Sequence, residues 1–142
     1  MEELLLEMLQ HYGLKEVYGT NSDPLILKMF HDLGYTWVKD DSTTAWCSAA
    51  LNYFCKKLGY ERSKMLTAKS WLNVGMVVTE PKLGDVVIFS RGDPASWQGH
   101  VGLFISRQGD TIHALGGNQS NGLNIAGFDA SRVLGYRRLR KL

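Results

Sequence analysis

Little in this 142-residue chain points to a stapled, membrane-bound or nucleic-acid-binding protein. It has two cysteines and three prolines, so no disulfide framework and no proline-rich linker is encoded. No apolar run approaches the roughly 18 residues of a membrane span; Leu4-Leu5-Leu6 is cut at once by Glu7. The chain opens on Glu2 and Glu3 rather than on a basic then apolar leader, so no secretory signal is expected. Sixteen Lys+Arg against fourteen Asp+Glu leave a net charge of +2, too small an excess to argue for nucleic acid. The cations gather late, in Arg132, Arg137, Arg138, Arg140 and Lys141. There is no phosphate-cradling Gly-rich loop and no dinucleotide fingerprint. Asp23 and Asp40-Asp41 are too sparse for a calcium loop, and His and Cys do not cluster as zinc ligands do, so no metal and no cofactor is expected.

What remains is one ordinary globular domain over residues 1–142, with 44% hydrophobic and 21% charged residues. The first half reads helical. Leu5, Met8 and Leu9 recur at helical spacing, and Gly13 closes that segment. Asp23-Pro24 is a capping carboxylate followed by proline at the first helical position, opening a helix through Phe30 to Gly34. Asp41 to Thr44 are capping residue types ahead of a helix from Cys47 to Leu58, which Gly59 ends. A short helix is expected from Ala68 to Leu72. After Gly75 the pattern turns to strands: Asp85–Phe89, Val101–Ser106, Thr111–Leu115 and Val133–Arg138. Gln108-Gly109-Asp110 is spaced as a tight hairpin turn. Helices over 1–75 and strands over 76–142 mean α+β, with helices packed on one face of an antiparallel sheet.

Cys47 is the first residue that could carry chemistry. With Thr44 as cap it falls in the first helical turn, where unpaired backbone N–H groups and the helix dipole stabilise a thiolate. Cys55 lies eight residues along the same helix, about 12 Å away, beyond the reach of a disulfide. Among Tyr53, Phe54 and Leu58 it reads as a core residue. His100 opens a strand between Gly99 and Gly102, where a general base could meet a substrate. Asn118, after Gly116-Gly117, could accept the imidazole N–H and aim the ring at a thiol; Gln119 could do the same or supply an oxyanion donor. His11, His31 and His113 read as structural.

Taken in order, Trp46-Cys47-Ser48-Ala49-Ala50-Leu51-Asn52, Ala68-Lys69-Ser70-Trp71-Leu72, Pro81 to Phe89, Gly99-His100-Val101-Gly102, Leu115-Gly116-Gly117-Asn118-Gln119 and Arg132 to Arg138 resemble the signature blocks of CHAP domains. These are cysteine, histidine-dependent amidohydrolases/peptidases of the NlpC/P60 papain-like superfamily. The likeness is greatest to the small single-domain branch of phage endolysins and secreted amidase toxins, and it covers nearly the whole chain. It implies a papain-like fold with the nucleophile at a helix N-terminus against a sheet. It implies Cys47 as nucleophile, His100 as base and Asn118 as third member, with Trp46, Trp97 and Gln119 binding substrate. Gln119 and His113 stay open as alternatives for the third place. The implied activity is cleavage of an amide in cell-wall peptidoglycan, as an endopeptidase or an N-acetylmuramoyl-L-alanine amidase. The implied setting is a monomer made in the cytoplasm that acts on the wall after release or delivery. A holin, a secretion machinery or an immunity protein would be its partners. Another amidase or acyltransferase on this scaffold, or a catalytically inert wall-binding module, are the rival readings.

Overall fold

In the computed structural model, which describes residues 2–16, 23–36 and 46–142, Asp23 caps its helix as its place before Pro24 predicts. Its carboxylate accepts from the N–H groups of Leu25 (2.8 Å) and Ile26 (3.3 Å), two donors that the helix itself leaves unpaired. Three helices precede the sheet: α1 (Glu2–Leu9), α2 (Pro24–Asp32) and α3 (Cys47–Leu58), followed by a 3-10 turn over Ala68–Asn73. Gly59 ends α3 at φ 80°, a left-handed conformation that costs glycine little. The expected cap run Asp41–Thr44 lies outside the described residues. The observed N-cap is Trp46, whose side chain makes no capping bond, and Cys47 is the first helical residue.

Six strands follow: β1 (Met76–Val78), β2 (Val86–Ser90), β3 (Gly99–Gln108), β4 (Thr111–Gln119), β5 (Gly122–Asp129) and β6 (Val133–Arg138). They form one sheet in the order β1-β6-β2-β3-β4-β5, and every neighbouring pair is antiparallel. The fold is α+β, as the order of patterns predicts. The turn at Gly109 (φ 60°) closes the β3–β4 hairpin with Gln108 opposite Thr111. Two strands exceed the expectation. β1 is a three-residue edge strand, too short to show alternation. β5 carries Asn, two Gly and Asp, residue types that β-propensity disfavours, and pairing with β4 overrides that preference.

Helix α3 is the buried axis of the molecule. Eight of its twelve residues are buried, and Ala49, Ala50, Leu51 and Phe54 are fully enclosed. Each large apolar side chain so enclosed contributes about 1.5–3 kcal/mol. Small residues let the helix approach the sheet closely. A Cβ on Gly117 of β4 would stand 2.6 Å from the Trp46 ring and 3.2 Å from the Ala50 side chain. The buried Ser48 and Asn52 side chains of the helix are engaged. Ser48 Oγ donates to Met65 O (2.6 Å) and accepts from Trp71 Nε1 (2.9 Å), while Asn52 Oδ1 accepts from the Lys64 N–H (2.7 Å). These bonds tie the segment after Gly59 to the helix that carries Cys47. On the sheet, Val86 and Ile88 join this main core, while Val87 and Phe89 join a second cluster with Phe104, Ile112 and Ala114. That split is the period-two alternation of a strand covered on both faces.

Candidate active site

Cys47 and His100 come together where the start of α3 meets the start of β3. Both are nearly enclosed, at 6% and 1% exposure. Burial alone pushes the Cys47 thiol up; the charge of His100, a hydrogen bond with His100, the Val101 backbone N–H and the charge of Arg91 outweigh it. The net result is a thiol below its ordinary range. Cys55 is also free and buried, but nothing opposes its desolvation comparably, and burial pushes it well up. The same fold thus drives its two thiols in opposite directions.

The imidazole is oriented by Gln119. Gln119 Oε1 lies 2.9 Å from His100 Nε2. Its amide nitrogen donates to Ala114 O (3.2 Å), Asn124 O (2.7 Å) and Asn124 Oδ1 (3.2 Å). Three acceptors around one NH2 group settle which end of the amide is which. The oxygen therefore faces His100 and accepts, so the ring proton sits on Nε2. That leaves Nδ1 as the basic nitrogen. It is buried with no partner at hydrogen-bond distance and is the nitrogen left for the Cys47 thiol. Asn124 Nδ2 closes the clasp by donating to Gln119 O at 2.7 Å. The ring is also packed on Phe128 (centroids 5.0 Å, 25°) and Phe89 (6.3 Å, 26°).

The residue on the imidazole is thus Gln119 and not Asn118. The cause is a β-bulge. Gly116 pairs with Asn124 and Gln119 with Gly122, so two residues of β4 oppose one of β5. Strict alternation would put Asn118 on the side of Gly116; the extra residue, with Asn118 at φ 59°, passes that place to Gln119. A Cβ on Gly116 would stand 2.9 Å from Gln119 Oε1 and 3.4 Å from His100 Nε2, so glycine leaves room for this bond. Asn118 instead lines the cavity beside His100. His113 makes no bond to His100, and its Nδ1 is buried without a partner.

Trp46, expected to bind substrate, lies in the core rather than on the cleft. It is fully buried, donates from Nε1 to Glu16 Oε2 (2.9 Å) and packs against Gly117. Trp97, 73% exposed, stands on the rim of the cavity that holds Cys47. The first turn of α3 offers backbone N–H groups that the Trp46 side chain does not cap, as an oxyanion requires. Among the described residues no three His, Cys, Asp or Glu converge as metal ligands.

A thiol at a helix start, an imidazole beside it and an amide holding that imidazole form a cysteine-hydrolase constellation. The family model for the CHAP domain matches residues 35–118, more than half of the chain. The chain belongs to the CHAP domain family. CHAP domains are cysteine- and histidine-dependent amidohydrolases/peptidases of a peptidoglycan-directed superfamily, and the helices and antiparallel sheet seen here agree with a papain-like CHAP fold. The CHAP match ends one residue before Gln119. The search of curated proteins returns no match. No helix among the described residues is long and apolar enough to cross a membrane.

The residues that sequence reasoning missed are those that support His100: Asn124, Phe89, Phe128 and the two arginines at the cleft, Arg91 and Arg132. Arg91 stands in the Gly- and Pro-containing loop before His100, a signal that could have been read. Asn124 lies in the strand that the pattern did not reveal.

Proposed function

We propose that residues 1–142 act as a single catalytic domain that hydrolyses an amide of the peptidoglycan peptide, through Cys47, His100 and Gln119. The observation that carries this is the ordered chain of contacts: thiol at the start of α3, imidazole, then an amide locked by three acceptors. His100 Nδ1 takes the Cys47 proton and becomes imidazolium, with Nε2–H still on Gln119. The thiolate attacks the amide carbonyl, and N–H groups of the first turn of α3 hold the oxyanion. Nδ1–H then protonates the leaving amine, which departs and leaves a thioester on Cys47. Water, deprotonated by Nδ1, hydrolyses the thioester and restores the thiol. Gln119 takes no proton; it sets the tautomer and angle of the ring.

The reading extends to a bacteriolytic role, either as a phage endolysin or as a delivered toxin, with the bond lying within the stem peptide or cross-bridge or between muramic acid and L-alanine. Mass spectrometry of fragments released from defined sacculi tests it. New free amines and matching masses from wild-type protein, and none from Cys47→Ala, are expected. Sacculi bound but left intact by wild-type protein would make the chain an inert wall-binding module.

A further inference from the structure

Two cavities meet at the Cys47–His100 pair, and Arg91 borders both. The smaller, about 80 Å³, includes Cys47 and Trp97 but not His100. The larger, about 360 Å³, includes His100 and Gln119 but not Cys47. The chemistry distinguishes them. The acyl part of a substrate becomes bonded to Cys47, whereas the amine part receives its proton from His100. The cavity on the Cys47 side is therefore the acyl side, and the one on the His100 side is the amine side.

The amine side is cationic. Arg91 and Arg132 line it together with Asn118, Ser120 and Phe128, and none of its lining residues is acidic. Arg132 is held in place: Nε donates to Ser90 O (3.0 Å), and the guanidinium lies 5.4 Å over the Phe128 ring. Among the described residues neither arginine has a salt-bridge partner. Asp129, three residues from Arg132, accepts from the Ser131 N–H (2.8 Å); its carboxylate feels the Arg132 charge but makes no ion pair with it. The terminal NH2 groups of Arg132 make no hydrogen bond within the described residues and line a concave site, the arrangement that binds a carboxylate in bidentate fashion. Asn118 and Ser120 add side chains without an internal hydrogen bond among the described residues.

We infer that the His100-side cavity reads a free carboxylate on the amine component of the substrate, with Arg132 as the specificity-determining residue and Arg91 as its support. The inference rests on the hydrolase reading for its choice of side, and it names the substrate class: acidic wall peptides with free carboxyl groups, in preference to amidated ones. A fixed Arg–carboxylate pair partly shielded from water discriminates by about ten- to a hundredfold against the neutral amide.

The test compares a synthetic stem tetrapeptide with free carboxylates and the same peptide with every carboxyl amidated. Binding is measured by calorimetry on Cys47→Ala protein, and amine release on wild-type protein. The free acid is expected to bind about ten- to a hundredfold tighter, the ratio falling with salt. Arg132→Gln in the Cys47→Ala background is expected to reduce the ratio to about threefold or less, with Arg132→Lys intermediate because it lacks the fork. Thermal melts establish that both variants are folded. Equal affinity for the two peptides, or a ratio that survives Arg132→Gln, would overturn the inference even if wild-type protein cuts both. Discrimination in binding that Arg132→Gln abolishes, with no amine released from peptide or sacculus by wild-type protein, would uphold the subsite and refute the hydrolase reading instead.

Discussion

Replacing Gln119 by alanine isolates the part of the site that the β-bulge creates. In the native protein its Oε1 accepts from His100 Nε2 at 2.9 Å, and both side chains are buried, at 4% and 1% exposure. Gln119→Ala leaves the Nε2–H unsatisfied inside the protein, a loss of about 1–3 kcal/mol. The neutral ring escapes that penalty by moving its proton to Nδ1, where it presents a donor to the thiol in place of a base. At 1.36 kcal/mol per tenfold step, amide hydrolysis is expected to fall about ten- to a hundredfold. Asn118→Ala, whose side chain makes no bond to His100, is expected to stay within about threefold of wild type on an amidated substrate. Gln119→Glu is informative as well. It keeps an acceptor for Nε2–H but sets a carboxylate against Ala114 O and Asn124 O, which now meet oxygen in place of NH2. Its melting temperature is expected to drop below that of wild type. The assay is release of labelled fragments from sacculi well below each variant's melting temperature, with the pH profile of Cys47 alkylation measured in parallel. A merely structural role for Gln119 would leave that profile in place; loss of the tautomer lock shifts its inflection upward. Gln119→Ala within twofold of wild type with an unshifted profile, or Asn118→Ala as severe as Gln119→Ala, would refute the reasoning.

Cys47→Ala is expected to abolish hydrolysis while the circular dichroism spectrum is retained; residual hydrolysis above about 1% of wild type would remove the thiol from the mechanism. Limiting iodoacetamide at pH 6 is expected to label Cys47 and not Cys55, read by peptide mass spectrometry. An ordinary thiol is only about 0.3% ionised there. A thiol lowered below its ordinary range keeps its thiolate as pH falls and loses it only below its own folded pKa, whereas the raised Cys55 stays protonated. In His100→Ala the labelling at pH 6 is expected to collapse, because the paired charge is gone; equal labelling of both cysteines would mean that Cys47 is not activated. Gly117→Ala forces a methyl to within 2.6 Å of the buried Trp46 ring and is expected to destabilise the fold by about 1–3 kcal/mol, seen as a lower midpoint in urea. An unchanged midpoint would show that Trp46 moves aside freely.

The sequence by itself determined what local chemistry controls. Asp23 before Pro24, Gly59 after a helical run and Gly109 between two apolar runs act through their own backbone preferences and neighbours a few residues away, and each stands where the pattern put it. Cys47 at the head of α3 and His100 near the start of β3 follow from the same local signals and from the order of blocks shared with CHAP domains. The third contact to the imidazole was a different matter. The resemblance implied Asn118 and left Gln119 open, and only the pairing of β4 with β5 inserts the residue that turns Gln119 inward. Trp46, implied by the resemblance to bind substrate, is held inside by the approach of Gly117 and the carboxylate of Glu16. The carboxylate clasp of Asp85 on Arg138, 53 residues apart, takes one cation of the late basic run into the fold. Arg132, from the same run, is turned toward the cleft by the Ser90 carbonyl 42 residues away. A bulge, a buried aromatic and an arginine's direction are set by partners far along the chain, and their positions exist only once the sheet has closed on α3.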